Sequence, residues 1–155
     1  MPKRADYLSW EDYFMFAARL TGERSKDEVT QVGCAIVDTH NHVVGMGYNG
    51  LPLGLSDDGG YWKKGSVNHF ENKGAFVCHA ETNAILNCTG NVRGCTMYTT
   101  LFPCHECARF IVQSGIVKVV WKDIKRNESS SVSVHILKSA NVSMVKHVGT
   151  MSIKL

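Results

Sequence analysis

The chain has 155 residues, 44% of them apolar and 20% charged, and a net charge of +3 when its seven histidines are neutral. That is enough for one sizeable core and excludes a disordered or fibrous chain. No apolar run approaches the roughly 18 residues that a membrane helix needs, and the small, dispersed positive charge weighs against a nucleic-acid groove while suiting a phosphorylated small molecule.

Met1 to Asp6 leads straight into an amphipathic pattern and carries no apolar leader core, so a cytoplasmic site is expected. The first helix is marked by Ser9 as cap and by Glu11 and Asp12 at its positive start, Asp12 at the capping-box position. Phe14, Met15, Ala17, Ala18 and Leu20 form its apolar face, and Gly22 ends it. Val32 to Val37 and Val43 to Tyr48 read as strands joined by a turn at Thr39-His40-Asn41-His42. Residues 49 to about 75 are rich in Gly, Asp and Asn and have little periodicity; a loop that long is usually functional. A second helix is expected from His79 to Cys88, a strand over Thr96 to Thr100, and a third helix from Cys104 to Ser114 between Pro103 and Gly115. Val117 to Trp121 is a strand, Ser130 to Ala140 a weaker helix and Val142 to Lys146 a final strand. No linker or repeat interrupts residues 1–155, so one domain is expected, an α/β fold of three α/β/α layers around a mixed sheet.

Two short stretches carry the chemistry. His79-Ala80-Glu81 precedes Pro103-Cys104-His105-Glu106-Cys107, and one histidine with a Cys-x-x-Cys pair supplies three zinc ligands. Three protein ligands leave a tetrahedral position for water, the pattern of a catalytic site. Glu81 is the kind of group that moves protons to and from such a water. Both stretches fall at expected helix starts, where the dipole favours the thiolates that Cys104 and Cys107 must become. Cys104-x-x-Cys107 would also suit a redox dithiol or half of a structural zinc site, with Cys78 as the strongest rival ligand. No second pair of that kind occurs among Cys34, Cys78, Cys88 and Cys95, which read as buried small hydrophobes. The H-x-E…P-C-x-x-C arrangement is the signature of zinc nucleobase deaminases.

With these residues in view, the sequence resembles the cytidine deaminase superfamily and, within it, the deoxycytidylate deaminases. The resemblance runs over about residues 7 to 121. It is carried by Arg24-Ser25-Lys26-Asp27, Gln31-Val32-Gly33, the stretch Gly47 to Gly54, Ser56-Asp57-Asp58, Cys78 to Ile85 and Leu101 to Ala108. It implies a central five-stranded mixed sheet and one catalytic Zn2+ held by His79, Cys104 and Cys107. Glu81 would carry protons in a hydrolytic deamination of dCMP to dUMP and ammonia, which supplies dUMP for thymidylate synthesis. Ala80 and Phe102 would contact the base, Asn49 the sugar, and Arg24, Ser25 and Lys26 the phosphate. It further implies a homo-hexamer or other homo-oligomer, activated by dCTP and inhibited by dTTP. The Tyr48–Trp62 loop, with Gly50, Asp57 and Asp58, is the expected effector site, and a Mg2+-bound nucleotide is a conceivable effector there.

Three departures from the family pattern stand out. Gly59-Gly60-Tyr61 occupies the place of a more usual Leu-Pro turn. No tyrosine follows Trp121, where Lys125 or Arg126 could substitute. The long loop has no cysteine, so a second zinc is not expected, although His69 and Glu71 lie in it. His40, His42, His135 and His147 read as surface or turn residues, and Trp10, Trp62 and Trp121 as core or interface anchors. The rival readings are a deaminase of dCTP, deoxycytidine or a base in nucleic acid, and an inactive zinc-binding regulatory subunit.

Overall fold

A computed structural model describes residues 1–149. The elements run α1 (Trp10–Gly22), β1 (Gly33–Val37), β2 (Val43–Tyr48), α2 (Ala80–Leu86), β3 (Thr96–Leu101), α3 (His105–Ser114), β4 (Lys118–Asp123), α4 (Glu128–Ser139) and β5 (Ser143–Lys146). Two 3-10 turns, His69–Glu71 and Lys73–Ala75, order part of the long loop. The Asn68 and Asn72 side chains cap them by accepting from Phe70 N–H and Gly74 N–H. No helix among the described residues is long and apolar enough to cross a membrane.

The five strands form one sheet in the order β2-β1-β3-β4-β5. β1 is antiparallel to both β2 and β3, while β3, β4 and β5 are parallel. Alternation along the central strands assigns the two faces. Ala35, Val37, Tyr98 and Val120 pack against Phe14, Met15 and Ala18 of α1. Cys34, Ile36, Met97 and Val119 turn the other way, onto Ala80, Ala84, Ala108, Ile111 and Leu137 of α2, α3 and α4. All five residues of β1 are therefore buried, as expected of a strand covered on both faces. The result is the expected three-layer α/β/α arrangement around a mixed five-stranded sheet.

Two glycines have structural roles, one in packing and one as a helix end. A Cβ on Gly47 would run into the Ala80 carbonyl and the Ala84 amide, so bare backbone lets the first turn of α2 lie directly on β2. Gly115 ends α3 at φ +82°, the left-handed cap a glycine adopts without strain.

The helix and strand limits depart from expectation in small ways. α2 stops at Leu86, two residues short, and Cys88 and Cys78 are only part-buried, unlike Cys34 and Cys95. Trp10 is 59% exposed and stacks on Phe14 at 5.4 Å. His147 corrects the expectation of a surface residue. It is buried just beyond β5, and its Nε2 lies 2.7 Å from Asp12 Oδ1 in the first turn of α1. His40, His42 and His135 are exposed.

Candidate active site

The parallel strands β3 and β4 release the chain at the same edge of the sheet. β3 leads through Leu101-Phe102-Pro103 to the start of α3, and β4 leads to the start of α4. β1 begins and β2 ends at that edge too. Ligands of α/β sheets gather at the carboxyl ends of parallel strands, and a cavity of about 270 Å³ opens there.

His79 is the N-cap of α2 and Cys104 the N-cap of α3, so both stand at helix starts. His79 Nδ1 lies 3.3 Å from Cys104 Sγ and 3.3 Å from Cys107 Sγ. The three ligand atoms all fall within 4.8 Å of one another. Tetrahedral zinc with ordinary Zn–S and Zn–N bonds separates a nitrogen from a sulfur ligand by about 3.6 Å. The donor set therefore fits zinc in kind and in spacing. Cys78, the rival ligand, is outside this group.

The thiols show why a dication belongs between them. The hydrogen bond from Cys107 and the adjoining His79 hold the Cys104 thiol down at about 3. Cys107 is pushed far up by its hydrogen bond to Cys104 and by burial. His79 is raised by its hydrogen bond to Cys104, against its partial burial. The two sulfurs thus contend for one proton, a contention that metal coordination removes by deprotonating both.

Glu81 is 4% exposed, on the first turn of α2. Burial pushes its carboxyl above the ordinary range, opposed by a backbone hydrogen bond and by His79. Cys107 Sγ donates to Glu81 Oε2 at 3.5 Å. A buried carboxyl of raised pKa beside a metal site suits proton transfer near neutral pH.

Around this centre the structure sorts the other expected residues. Asn49, Ala80 and Phe102 line the cavity. The Asn49 amide is tied to backbone, accepting from Val32 N–H at 2.8 Å and donating to the Thr30 carbonyl at 3.0 Å, and so fixes the cavity wall. Arg24, Ser25 and Lys26 are not among the lining residues. Arg24 is exposed, Ser25 Oγ donates to the Asn49 carbonyl at 2.8 Å, and Lys26 Nζ pairs with Asp57 Oδ2 at 2.6 Å. Tyr48, Gly50, Asp57, Asp58 and Trp62 also lie off the cavity lining. Gly50 exchanges two hydrogen bonds with Cys78, anchoring the start of the loop beside His79. Sequence reasoning gave no site role to Asp27, Lys64, Lys73 or Ser129, all of which line the cavity. For Asp27, Lys64 and Lys73 the only sequence signal is a scatter of polar residues in two loops, and Ser129 stands in the first turn of α4.

The model of the cytidine and deoxycytidylate deaminase zinc-binding region matches residues 8–123. The chain belongs to this deaminase family. Deoxycytidylate deaminase from Mus musculus is 48% identical over 132 residues, covering 84% of this chain and 74% of the relative. The Homo sapiens deoxycytidylate deaminase matches to the same extent. A probable deoxycytidylate deaminase from Drosophila melanogaster is 46% identical over 154 residues, covering 94% of this chain and 76% of its own length. Among solved structures, the cyanophage S-TIM5 dCMP deaminase in complex with dCMP and dUMP superposes with a TM-score of 0.72 at 24% identity. That match covers 91% of this chain and all of the other, and at this identity it speaks to the fold alone. Within the family, the His79–Cys104–Cys107 cluster is where zinc would be held.

Proposed function

We infer that this deaminase acts on dCMP, releasing dUMP and ammonia. The observation that carries the reading is the buried Glu81 carboxyl, which accepts from Cys107 Sγ, one of the three clustered ligand atoms of His79, Cys104 and Cys107. Its support for dCMP in particular is the identity to deoxycytidylate deaminases across most of the chain. Zinc held by these three residues would supply an acidified water at neutral pH. Glu81 would take a proton from the attacking water and deliver it to N3 of the cytosine as the water oxygen adds to C4. The carbon becomes tetrahedral and carries a hydroxyl; Glu81 would then pass that hydroxyl's proton to the amine, and the C–N bond breaks to release ammonia as the C4 carbonyl forms. N3 keeps its hydrogen, which is the uracil product, so one water is consumed per ammonia released. Ala80 and Phe102 shape the base end of the cavity, and Asn49 holds the wall beside the sugar.

The test is ammonia release from deoxycytidine, dCMP, dCTP and CMP in parallel. dCMP is expected to be the best substrate. A different best substrate overturns the dCMP assignment and leaves the zinc chemistry standing.

Control by dCTP and dTTP through the Tyr48–Trp62 loop, in a homo-oligomer, belongs to the same reading. It is supported by the Lys26–Asp57 pair, which ties the loop to the segment leading into Asp27 and Thr30 of the cavity wall. A hyperbolic dCMP saturation curve that dCTP does not alter removes this part.

A further inference from the structure

A threonine inside a helix often turns its hydroxyl back onto the carbonyl four residues earlier. Thr21 does so in α1, donating to the Ala17 carbonyl at 2.8 Å. Thr82, in α2, does not. The carbonyl it would reach is that of Cys78, which already accepts from Gly50 N–H at 3.1 Å and from Asn83 Nδ2 at 3.5 Å. A carbonyl oxygen has two lone pairs, and both are taken. The part-buried Thr82 side chain turns instead across to α3, where its Oγ1 lies 3.8 Å from Cys107 Sγ.

The surroundings of that sulfur give the contact a purpose. His79 Nδ1, 3.3 Å from it, is itself one of the clustered ligand atoms, and Glu81 Oε2 accepts from it. Bound to a dication, a thiol loses its proton and the sulfur can only accept. The other sulfur is already provided for, because Cys104 Sγ accepts from Cys107 N–H at 3.5 Å. Cys107 needs a donor from elsewhere, and the Thr82 hydroxyl is placed to be one.

We propose that Thr82 is a positioning residue of the metal centre, its hydroxyl donating to the Cys107 sulfur and holding it where His79 and Cys104 also reach. This goes beyond the dCMP reading, because it concerns how the ligand set is held whatever the substrate. It rests on His79, Cys104 and Cys107 being the zinc ligands. Hydrogen bonds to ligating atoms fix their orientation and tune the charge they give to the metal.

The experiment compares wild type, Thr82→Val and Thr82→Ser. It reads zinc affinity by competition with a chromophoric chelator, and the thiolate-to-metal absorption band of the Co2+-substituted proteins. Thr82→Val keeps the branched shape and removes the hydroxyl, whereas Thr82→Ser keeps the hydroxyl. Thr82→Val is expected to bind zinc about 10- to 100-fold more weakly. Its Co2+ band should move to lower energy, because a sulfur without its hydrogen bond gives charge to the metal more readily. Thr82→Ser should recover most of the affinity and the wild-type band. Should Thr82→Val not fold, Thr82→Ala gives the same comparison. An unmoved band in the variant that lacks the hydroxyl overturns the proposal whatever the affinity. An equal loss in Thr82→Ser also overturns it and assigns Thr82 to helix packing. A wild-type protein that takes up no zinc removes the ligand set and this proposal with it. A best substrate other than dCMP overturns the dCMP reading alone.

Discussion

Cys107 Sγ and Glu81 Oε2 lie 3.5 Å apart, although 26 residues separate them in the chain. They come from the first turns of α3 and α2, two helices packed on the same face of the sheet. The group that moves protons and the groups that bind metal are thus fixed by one piece of packing. Burial raises the Glu81 pKa, and the nearby ligand cluster gives that raised pKa something to act on.

Glu81→Gln keeps the shape of the side chain and removes its proton transfer. Turnover should fall by at least about 10²- to 10⁴-fold, the usual range for a positioned acid–base group. Zinc content should stay at one per chain, because the three ligands are untouched. Steady-state ammonia release and metal analysis on the same sample check both halves; zinc lost along with activity would assign Glu81 to metal retention.

Removing the metal should be reversible. Chelation is expected to abolish turnover and added Zn2+ to restore it, while Cys104→Ser and His79→Ala should lose zinc as well as activity. A fully active chelated protein would contradict the metal site.

Much of this arrangement was legible in the sequence, because the decisive residues mark helix starts. His79 and Cys104 are the caps of α2 and α3, and Pro103 and Gly115 bracket α3. The order of elements then fixed the layers. What stayed hidden depends on contacts far apart in the chain. His147 looks like a tail residue until β5 carries it to Asp12, 135 positions away. Arg24, Ser25 and Lys26 are adjacent cations and donors, but adjacency does not say that Lys26 turns to Asp57. Lys73 reaches the cavity from a segment without periodicity, so no pattern announced it, whereas Lys125 was marked only by its place after Trp121.

Gly47→Ala tests the contact that seats α2. The new methyl would meet the Ala80 carbonyl and the Ala84 amide, which are backbone and cannot swing aside. Overpacking of this kind costs about 1–3 kcal/mol. A lower midpoint in denaturant and a loss of kcat larger than expected for a surface change should appear together, because the displaced turn carries Glu81. Unchanged stability would show that β2 and α2 are not held at this distance.

The Asp27–Lys73 pair is the most enclosed ion pair in the cavity wall. Burial pushes the Asp27 carboxyl up, but its hydrogen bonds from Lys73 and from the Val29 and Thr30 amides bring it below the usual value. Lys73→Met leaves that carboxylate half-stranded, and breaking one side of a buried pair costs roughly 3–5 kcal/mol. Denaturant unfolding of the single variants and of Asp27→Asn/Lys73→Met together should show the double variant recovering part of the loss. Additive losses would mean that the two side chains do not act as a pair.

Asp12 links the two ends of the described chain and should make stability depend on acid. The Ser9 hydroxyl donates to its Oδ2 at 2.7 Å, and His147 Nε2 lies 2.7 Å from its Oδ1. The Ser9 hydrogen bond first, and the His147 contact second, hold the Asp12 carboxyl below its ordinary 3.8, with Lys122 adding a weaker attraction. A carboxyl whose pKa is depressed on folding contributes stability that is present above the unfolded value and lost as pH falls through the folded one. The stability difference between wild type and Asp12→Asn should therefore be full near pH 6 and shrink below about pH 4, once the carboxyl begins to protonate. Urea unfolding of both proteins across that interval measures it. The difference should narrow from the wild-type side, because the amide that replaces the carboxyl does not titrate. A gap that stays constant down to about pH 3, well into the carboxylate range, would mean that the links to Ser9 and His147 do not depend on the Asp12 charge.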